Sequence, residues 1–593
     1  MEPSKATNQV LAPLIIGVTG HRDLRNEDRD ILSRQVRALL LELKAKYPFT
    51  PLLLLSPLAE GADRLVAQVA LERGIEARLI VPLPMPIRCY EQDFRTPESL
   101  AEFNALLQRA ERSFEIKLLR GNTEEGLRQP ELRDRQYQEA GKFIARQSQI
   151  LIALWDGTDT NLVGGTAQIV RFQTEGVPST EDCDLAPHER FPVYHIVTPR
   201  LKNPNPPGKP FTLRTIYPDV FEKDEARARK YYAEMFARLD EFNRNVSQAD
   251  SALIEGISTS KRYLFGEAGE KAIPPEQTIT LQRYAFADAL AVDFHQRMIR
   301  TQKILHWSVF LSFACFAAYA HLPKLLHAEA PGRWPWWLWA SIGFFSFGYC
   351  IYESARKRGL ETNYLDYRAV AEGMRIKLFW ELSGVPDRVE AYYLTKQRTE
   401  LDWICNLLRG WYCLEPEEGR DSPLLPEDPV NPKGVELAVS HWVDDQRKYF
   451  KTAAEREHLK SERLERWVRL SLRSAAIGAV LLAIVMSISR VSRIVTSNEW
   501  LHGLPFIVIE LLLAAGALLH HYNERMAYSQ HAKQYRRMRV IFDHALELIG
   551  EALQSGNYRS AHTCLRNLGK EALTENGDWV LIHRERPLEL PHP

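Results

Sequence analysis

Residues 14–22 read LIIGVTGHR, an unbroken apolar run that ends in a glycine-rich turn. Apolar runs of this length are typical of strands that are buried on both faces of a parallel sheet. Segments with helical periodicity separate it from further short apolar runs, at residues 52–55, 77–83, 150–154 and 193–197. This alternation predicts a Rossmann-like α/β domain with a doubly wound parallel sheet.

Three loops at the ends of these predicted strands carry the residues expected to bind a ligand. Glycines let the backbone turn tightly and approach a ligand, and the N–H groups of a strand-to-helix turn can hold phosphate. Because parallel strands end at one edge of a sheet, we expect the loops to converge there. The predicted site residues are Gly17, Thr19, Gly20, His21 and Arg22 in GVTGHR; Ser56, Glu60, Gly61, Asp63 and Arg64 in SPLAEGADR; and Trp155, Asp156, Gly157, Gly164, Gly165 and Thr166 in WDG and GGT.

Each loop also has a structural interpretation. A single glycine turn is as often a plain connection between a strand and a helix. Trp155 either stacks on a base or packs into the fold, while Asp63 would cap a helix and Arg64 would pair with a carboxylate. His21 and Glu60 are possible acid–base groups, but the chain has no HExxH, GxSxG or Walker A motif. No catalytic residue, metal site or cofactor is therefore predicted.

Composition excludes several classes of protein. The chain has 593 residues with 76 Lys+Arg and 76 Asp+Glu, so its formal net charge is zero. A zero balance argues against a nucleic-acid binder that relies on a global positive field. The seven cysteines form no CxxC pair, which fits reduced thiols better than a disulfide framework or a zinc site. The negative mean hydropathy is typical of a soluble protein, but it averages over local apolar segments.

Four such segments follow in the second half of the chain, at residues 304–322, 336–352, 472–489 and 504–519. A helix needs about 20 apolar residues to cross a bilayer, within a range of about 17–25, so these segments fall near the lower limit. They form two hairpins with short connections, which favours four transmembrane helices over buried core helices. Glu510, inside the fourth segment, is a candidate pore residue or lies near the membrane interface.

Charges and aromatic residues predict the orientation of the hairpins. Basic residues precede the first and third segments and follow the second and fourth, whereas tryptophans cluster at the far end of the first hairpin. By the positive-inside rule, both chain termini are expected in the cytoplasm. The residues concerned are Arg297, Arg300, Lys303, Arg356, Lys357, Arg358, Arg463, Arg466, Arg469, Arg473 and Arg525, with Trp334, Trp336, Trp337 and Trp339; Arg490 and Arg493 in the second hairpin loop weaken the asymmetry.

The two hairpins also have the signature of an internal duplication. Their corresponding apolar segments start 168 residues apart, and a helix bearing tyrosine and arginine follows each hairpin. NYLDYRAVAEGMRIKLF and YSQHAKQYRRMRVIF align Tyr364 with Tyr528 and Arg375 with Arg539. The matching order of elements favours a repeat.

The loop motifs GVTGHR, SPLAEGADRLVA, ALWDG and GGTAQ together resemble the SLOG superfamily of Rossmann-like nucleotide-sensing domains. Tyr90, Asp93 and Phe94 in CYEQDF resemble part of the family's loop after the third strand. The resemblance implies that the three loops bind a nucleotide or an NAD-derived ligand. The LOG phosphoribohydrolases of this superfamily carry PGGxGTxxE with a catalytic glutamate, whereas VGGTAQIVRF has no glutamate at the matching place, which favours binding without turnover.

The paired hairpins, followed by HAKQYRRMRVIF, resemble SLATT domains, which are two-transmembrane effectors associated with SLOG. The two resemblances imply a bacterial inner-membrane sensor-effector, acting in anti-phage defence, that binds a nucleotide-type signal and responds by forming a pore or disrupting the membrane. Its expected partners are the ligand, the lipid bilayer and further copies of the chain, because four helices are too few for a wide pore, while nucleic acid is not expected. The alternative is a membrane-tethered nucleotide hydrolase or N-glycosidase that uses Glu60 or His21.

These interpretations divide the chain into five parts. The SLOG-like domain is expected at residues 1–215, followed by a helical linker at 216–303. The first transmembrane hairpin and its cytosolic helix occupy 304–384, a connecting loop region 385–440, and the second hairpin with flanking cytosolic helices 441–593.

Overall fold

A computed structural model shows two compact units, each of which is continuous in space but not in sequence. The first comprises Met1–Ala249 and Leu394–Glu418, and the second comprises Asp250–Tyr393 and Gly419–Pro593. The structure describes residues 9–119, 121–177, 190–219, 224–270, 273–321, 335–393, 401–414, 431–488 and 499–587.

The first unit is built on a seven-stranded sheet with the order β4-β3-β2-β1-β5-β6-β7. Strands β1 to β4 follow one another to one edge of the sheet, and β5 then pairs with the other side of β1. The direction of strand addition therefore reverses between β1 and β5. The strands are β1 (Leu14–Gly20), β2 (Leu52–Leu55), β3 (Arg78–Leu83), β4 (Arg112–Glu115), β5 (Ile150–Trp155), β6 (Val193–Val197) and β7 (Leu213–Ile216).

The longer helices of both units are numbered here in chain order. They are α1 (Arg29–Lys46), α2 (Ala62–Ala70), α3 (Pro97–Arg109), α4 (Pro130–Gln147), α5 (Thr166–Glu175), α6 (Glu225–Ser247), α7 (Ser251–Glu270), α8 (Thr278–His321), α9 (Pro335–Lys357), α10 (Leu360–Ser383), α11 (Asp402–Cys413), α12 (Pro432–Ala438), α13 (Asp444–Ser487), α14 (Glu499–Met526), α15 (Tyr528–Gln554) and α16 (Tyr558–Arg584).

Helices cover both faces of the sheet, as the continuous apolar runs predicted. A Cβ atom on Gly17 would lie 2.2 Å from the hydroxyl of Ser148, just after α4, and one on Gly20 would lie 2.4 Å from the Cβ of Ala62 in α2. Alternate residues of a strand point to opposite faces, so α4 and α2 lie on opposite sides of β1. An α/β unit with a parallel core sheet covered by helices on both faces is therefore confirmed.

The sheet is mixed rather than wholly parallel. Strands β1 to β6 pair in parallel, but β7 pairs antiparallel to β6, with Val193 opposite Ile216. A parallel return needs a crossover of a dozen or more residues, usually a helix, and the proline-rich segment between β6 and β7 forms none. The segment instead turns back as a hairpin, which corrects the prediction of a fully parallel sheet.

The first unit extends beyond the predicted boundary at residue 215. Helix α6 belongs to it, and the Asn243 side chain donates to the carbonyl of Ala12 at 2.8 Å. The region predicted as a connecting loop contributes α11, whose Trp411 indole N–H donates to the carbonyl of Val10 at 3.0 Å. Residues 415–430 of that region lie outside the described residues.

The second unit contains long helices with apolar ends. Three helices are long and apolar enough to cross a membrane: Pro275–His321, Pro432–Ser487 and Gly503–Gln554. The sequence predicted four spanning helices, and the described residues supply three. Residues 336–352 do form a helix, α9, but tryptophan, tyrosine, glycine and serine make it less hydropathic than the leucine-rich segments.

Apolar side chains point outward from the ends of both hairpins. Trp307 on α8 is 63% exposed and Trp336 on α9 is 72% exposed. Ile477 and Leu481 on α13 are 60% and 57% exposed. An exposed apolar surface of this extent is typical of a membrane or partner interface and is rare on a soluble monomer.

The second unit repeats one arrangement twice. Helices α8 and α13 are both 44 residues long, and each packs against a returning helix and then against a polar helix. In each copy a left-handed residue separates the last two helices: Gly359, with φ 58°, and Ala527, with φ 51°. These residues lie 168 residues apart, which matches the spacing of the apolar segments.

The register of the repeat differs from the predicted alignment. The left-handed residues pair Tyr367 with Tyr535 and Arg368 with Arg536, instead of Tyr364 with Tyr528. A serine of the first helix also contacts the returning helix in both copies. Ser312 donates to the carbonyl of Ser341 at 2.9 Å, and Ser471 to that of Leu512 at 2.8 Å. Small and hydroxyl side chains at such positions allow close packing of membrane helices.

Candidate functional site

The candidate ligand site lies at the carboxyl edge of the sheet, where the topology reverses between β1 and β5. Open α/β sheets bind ligands at this point because the loops on its two sides diverge and leave a crevice. His21 follows β1 and Asp156 follows β5. The backbone N–H of Asp156 donates to His21 Nε2 at 3.0 Å, which joins the first and third predicted loops.

His21 is held in its neutral form by this arrangement. Burial lowers the pKa of His21, although the nearby Asp156 carboxylate opposes the shift. Because Nε2 accepts a hydrogen bond, the proton of the neutral ring lies on Nδ1. His21 is therefore placed to connect two loops, with one ring nitrogen already occupied.

Asp156 is the centre of a polar network at the ends of β5 and β6. Its carboxylate is 1% exposed and accepts from Arg200 Nε at 3.1 Å, from Asn203 at 3.0 Å and from the Thr158 backbone N–H at 3.0 Å. Burial alone would raise the pKa of Asp156, but the hydrogen bonds from Thr158 and Asn203 and the charge of Arg200 lower it below its usual value. The ionised carboxylate thus anchors the loop after β6 to the loop after β5.

The second predicted loop joins the first through Gly61. A Cβ atom on Gly61 would lie 2.5 Å from the carbonyl oxygens of both His21 and Arg22, and its φ of 83° is one that side chains rarely adopt. The backbone N–H of Ala62 donates to the carbonyl of His21 at 3.1 Å. Ser56, which is fully buried, accepts from the Leu58 N–H at 3.2 Å, so this hydroxyl supports the loop from within.

Arg64 and Glu60 interact with helix α3. The Arg64 guanidinium is 1% exposed, pairs with Glu102 at 2.9 Å and lies 4.5 Å from the centre of the Phe94 ring. This confirms the structural interpretation in which Arg64 pairs with a carboxylate. Glu60 accepts a hydrogen bond from the Ser99 hydroxyl.

Arg22 is a predicted site residue whose side chain remains available to a ligand. Its side chain is exposed, and it forms no ion pair with any residue in the described ranges. The guanidinium lies 4.8 Å from the centre of the Tyr137 ring, which holds it at the sheet edge by a cation–π contact. A positioned guanidinium without a carboxylate partner is suited to binding phosphate in a bidentate manner.

Sequence analysis included Asp93 but missed Tyr137 and Arg133, which both contact it. The Tyr137 hydroxyl bonds to Asp93, and Arg133 pairs with the same carboxylate at 2.7 Å. Both Arg133 and Tyr137 lie on α4, in a stretch without glycine or a strand end, so no loop motif marks them. Their four-residue spacing, which places them on one helix face, was the available signal.

Asp63 and Tyr90 are buried beneath Arg22. Burial raises the pKa of Asp63 to about 7, even though Arg22 and a hydrogen bond from the Ala59 backbone oppose the shift. Burial also raises the pKa of Tyr90 well above its usual value, and its hydroxyl has no hydrogen-bond partner among the described residues. Gly61 occupies the capping position of α2, so Asp63 is not the cap that sequence analysis considered.

Asp63 makes the stability of the first unit depend on pH. The folded pKa of about 7 exceeds the ordinary value of 3.8, so the folded state holds an extra proton between these limits. Stability is therefore full below about pH 4 and declines as the pH rises towards 7, by roughly 3–4 kcal/mol at most. Hydrogen exchange of β1 and β2 in the whole protein, corrected for intrinsic rates, measures this decline. Asp63→Asn should remove the slope; an unchanged slope in that variant would assign it to another group.

The residues of the third predicted loop pack mainly against neighbouring side chains. Trp155 packs against His195, with ring centroids 5.1 Å apart, which is the packed alternative rather than a stacking platform. The N–H of Gly164 donates to the Gln168 side chain at 2.8 Å, and a Cβ atom on Gly164 would lie 3.1 Å from that of Tyr137. The glycine pair thus packs beside Tyr137.

Among the remaining predicted residues, Gly17 lies inside β1 and Thr19 is buried in the same strand. Gly157 has a φ of 81°, while Thr166 begins α5. The backbone N–H groups of Thr166 and Ala167 bond to no other group within the described parts of the chain. These N–H groups belong to the first turn of α5, and N–H groups at the start of a helix favour an anion.

Glu510 lies near the loop end of the second hairpin and touches the first. Its carboxylate is 3.1 Å from His321 Nε2 at the end of α8, and the His321 ring stacks on Phe506 at 5.5 Å. The Glu510 side chain is about half exposed. The pair joins the two copies of the repeat at the end of the bundle that the tryptophans mark. Trp334, Arg490 and Arg493 lie outside the described residues.

Comparison with known proteins adds no family to this geometry. No protein-family model matches the chain, and no curated protein is significantly similar to it.

Proposed function

We propose that this protein is a membrane sensor-effector: its α/β unit binds a nucleotide or NAD-derived ligand at the sheet edge, and its helical hairpins respond within a bilayer. Arg22 carries the proposal for the α/β unit, because it is exposed at the sheet edge, held by Tyr137 and unpaired among the described residues. The adjoining N–H groups at the start of α5 supply further donors to a phosphate.

The outward-facing apolar side chains carry the proposal for the helical unit. Three helices meet the length and composition that a bilayer requires, and α9 returns along α8 with exposed tryptophan and phenylalanine side chains. We propose that α9 enters the lipid as the partner of α8. Basic residues in the last turns of α9 and α14 support an inner-membrane location with both termini in the cytoplasm.

Membrane permeation by this chain requires more than one copy. A single chain supplies two hairpins, which enclose too few helices for a wide pore, so we propose a symmetric homo-oligomer. A ligand can shift such an assembly only if it binds one state better than the other. We propose anti-phage defence as the setting on the resemblance to SLOG and SLATT domains.

The hydrolase alternative depends on Glu60 or His21. Both residues have partners in the structure: Ser99 bonds to Glu60, and the Asp156 backbone bonds to His21. These contacts occupy His21 Nε2 and Glu60 Oε1. Incubation with NAD, ADP-ribose and AMP, followed by product analysis, tests this alternative; turnover that Glu60→Gln abolishes would establish it in place of sensing.

Arg22→Gln is expected to weaken binding of the ligand by about 10- to 100-fold, because a charged hydrogen bond to phosphate contributes about 1.5–3 kcal/mol. Calorimetric titration of the purified whole protein with NAD, ADP-ribose and AMP measures the effect. Arg34→Gln is the matched control, since Arg34 is an exposed arginine of α1 in the same unit. Equal affinities in the Arg22 and Arg34 variants would remove Arg22 from the site.

A further inference from the structure

A cavity of about 670 Å³ lies inside the helical unit, between the two copies of the repeat. Helices α8 and α10 of the first copy line it together with α13 and α15 of the second, and α7 and α16 close its sides. This volume falls within the range of about 300–1,000 Å³ that small-molecule sites occupy. The cavity belongs wholly to the second unit and is separate from the sheet edge.

Aromatic rings form much of the cavity wall. His295 stacks on Tyr364 with centroids 4.5 Å apart, and Trp579 meets the same tyrosine edge-on at 5.9 Å. Tyr449 and Tyr535 lie 6.0 Å apart on the side of the second copy. Ring faces of this kind attract cations through their quadrupoles.

The arginines of the cavity are already paired. Arg368 lies 3.1 Å from Asp288 and 2.5 Å from Glu372, while Arg375 pairs with Glu372 as well. Asp288 also accepts from the Ser260 hydroxyl at 2.8 Å. These contacts neutralise the two guanidinium groups and leave little positive charge for an anionic ligand.

Carboxylates outnumber the arginines around the cavity. Four acidic residues line it against two arginines, and Glu255 and Glu575 pair with no cation in the described part of the chain. Glu255 is exposed at the rim, whereas Glu575 is half-buried in the wall. The buried Arg375 also directs an Nε–H without a described acceptor into this wall. The cavity therefore offers two carboxyl groups without a described cationic partner, aromatic faces and one free donor.

We propose that this cavity binds an organic cation whose ammonium groups lie against Glu575 and the surrounding tyrosine and tryptophan rings. A diamine matches the two unpaired carboxylates, at the rim and in the wall. Phosphate-bearing ligands are disfavoured, because the net charge of the lining is negative. Such a cation would contact both copies of the repeat at once and hold them together, beside the membrane-facing ends. This site is additional to the sheet edge, and its test does not depend on nucleotide binding.

The surroundings of Glu575 favour its protonated form. Burial raises the pKa of Glu575 to about 8, and the neighbouring Glu372 adds to the shift while Arg375 and Arg368 oppose it. A bound cation favours the ionised form, so binding should release a proton below about pH 8 and should strengthen as the pH rises. The charged and titratable groups that face Glu575 across the cavity are Glu255, Tyr263, Tyr284, Asp288, His295, Tyr364, Arg368, Glu372, Arg375, Tyr449, Tyr535 and, on its own helix, Asp578.

Calorimetric titration of the whole protein in dodecyl maltoside, which carries no ammonium group, tests the proposal. The probes are 1,4-diaminobutane as a free amine, choline as the cationic group of a lipid headgroup, and AMP as an anion. We expect an ammonium probe to bind with proton release, and Glu575→Gln to weaken that binding by about tenfold at pH 8.5, equivalent to one charged contact. Which ammonium probe binds tighter distinguishes a soluble amine from a lipid headgroup.

Two controls keep the result interpretable. Glu571→Gln removes the same charge from an exposed position of α16 and should leave affinity unchanged. Tyr449→Leu should weaken binding several-fold, whereas Tyr449→Phe, which keeps the ring, should not. The proposal is overturned if neither ammonium probe binds, if Glu575→Gln and Glu571→Gln bind equally well, or if AMP binds more tightly than both cations.

Discussion

Gly61→Ala is expected to open the sheet edge and abolish ligand binding there. An added Cβ atom would lie 2.5 Å from the carbonyl oxygens of His21 and Arg22, and backbone atoms cannot move aside without displacing the turn after β1. The residue also has a φ of 83°, which costs a side chain about 1–2 kcal/mol by itself. Collision and strain together should cost roughly 3 kcal/mol or more of stability.

Gly74→Ala separates the two contributions to this loss. Gly74 has a similar φ of 97°, but a Cβ atom there would meet no atom within 4 Å. Its substitution should therefore cost only the backbone strain. Hydrogen exchange of β1 and β2 in the whole protein measures both variants. If Gly61→Ala loses no more protection than Gly74→Ala, the contact between the first two loops does not hold the site.

Leu481→Arg is expected to prevent stable insertion of the second hairpin. Leu481 is 57% exposed on the apolar end of α13, and a charged residue near the centre of a spanning helix costs about 2.5–3.5 kcal/mol on insertion scales. In a soluble helix bundle the same substitution at an exposed leucine would cost almost nothing. The result therefore distinguishes a membrane helix from a solvated one.

The fraction of protein that carbonate washing leaves in the membrane pellet measures insertion. Leu41→Arg is the control, because Leu41 is 43% exposed on α1 in the α/β unit and should tolerate the charge. Membrane recovery of the Leu481 variant at the level of the Leu41 variant would contradict the placement of α13 in lipid.

The buried strands were predictable because their chemistry is local. Runs such as Leu52–Leu55 and Ile150–Trp155 have no polar residue to satisfy and can only lie within a covered sheet. Strand β4 reads RSFE and lies at an edge with alternating exposure, so it lacks that signature. Strand β7 depends on pairing with β6 rather than on its own composition.

Domain boundaries were less predictable, because they depend on long-range packing. Helix α11 lies more than 150 residues after α6 in sequence, yet Asn406 of α11 accepts from Gln149 beside β5 at 3.0 Å. Helix α8 runs through the predicted boundary at residue 303 without interruption. A hydropathy change marks where a helix would enter lipid, not where a packed unit ends.

The residues of the candidate site were likewise predictable where they depend on local sequence and not where they depend on long-range packing. Loop motifs identified Arg22 and Gly61, whose roles follow from glycine and charge at a strand end. They also included Gly17, which is needed for packing against Ser148. Tyr137 contacts Arg22 from a helix that is distant in sequence, and the cavity around Glu575 is lined by several such helices. Only the folded chain brings these residues together.

Dye release from liposomes that contain the purified protein tests most directly whether the sheet edge controls the hairpins. NAD, ADP-ribose and AMP are added in turn to the wild-type protein and to the Arg22→Gln and Arg34→Gln variants. We predict that at least one of these ligands changes the rate of release several-fold in the wild type and in Arg34→Gln, and that Arg22→Gln loses the response. Tight binding of a nucleotide to the wild type without any change in release, in neutral and in anionic lipids, would contradict the account.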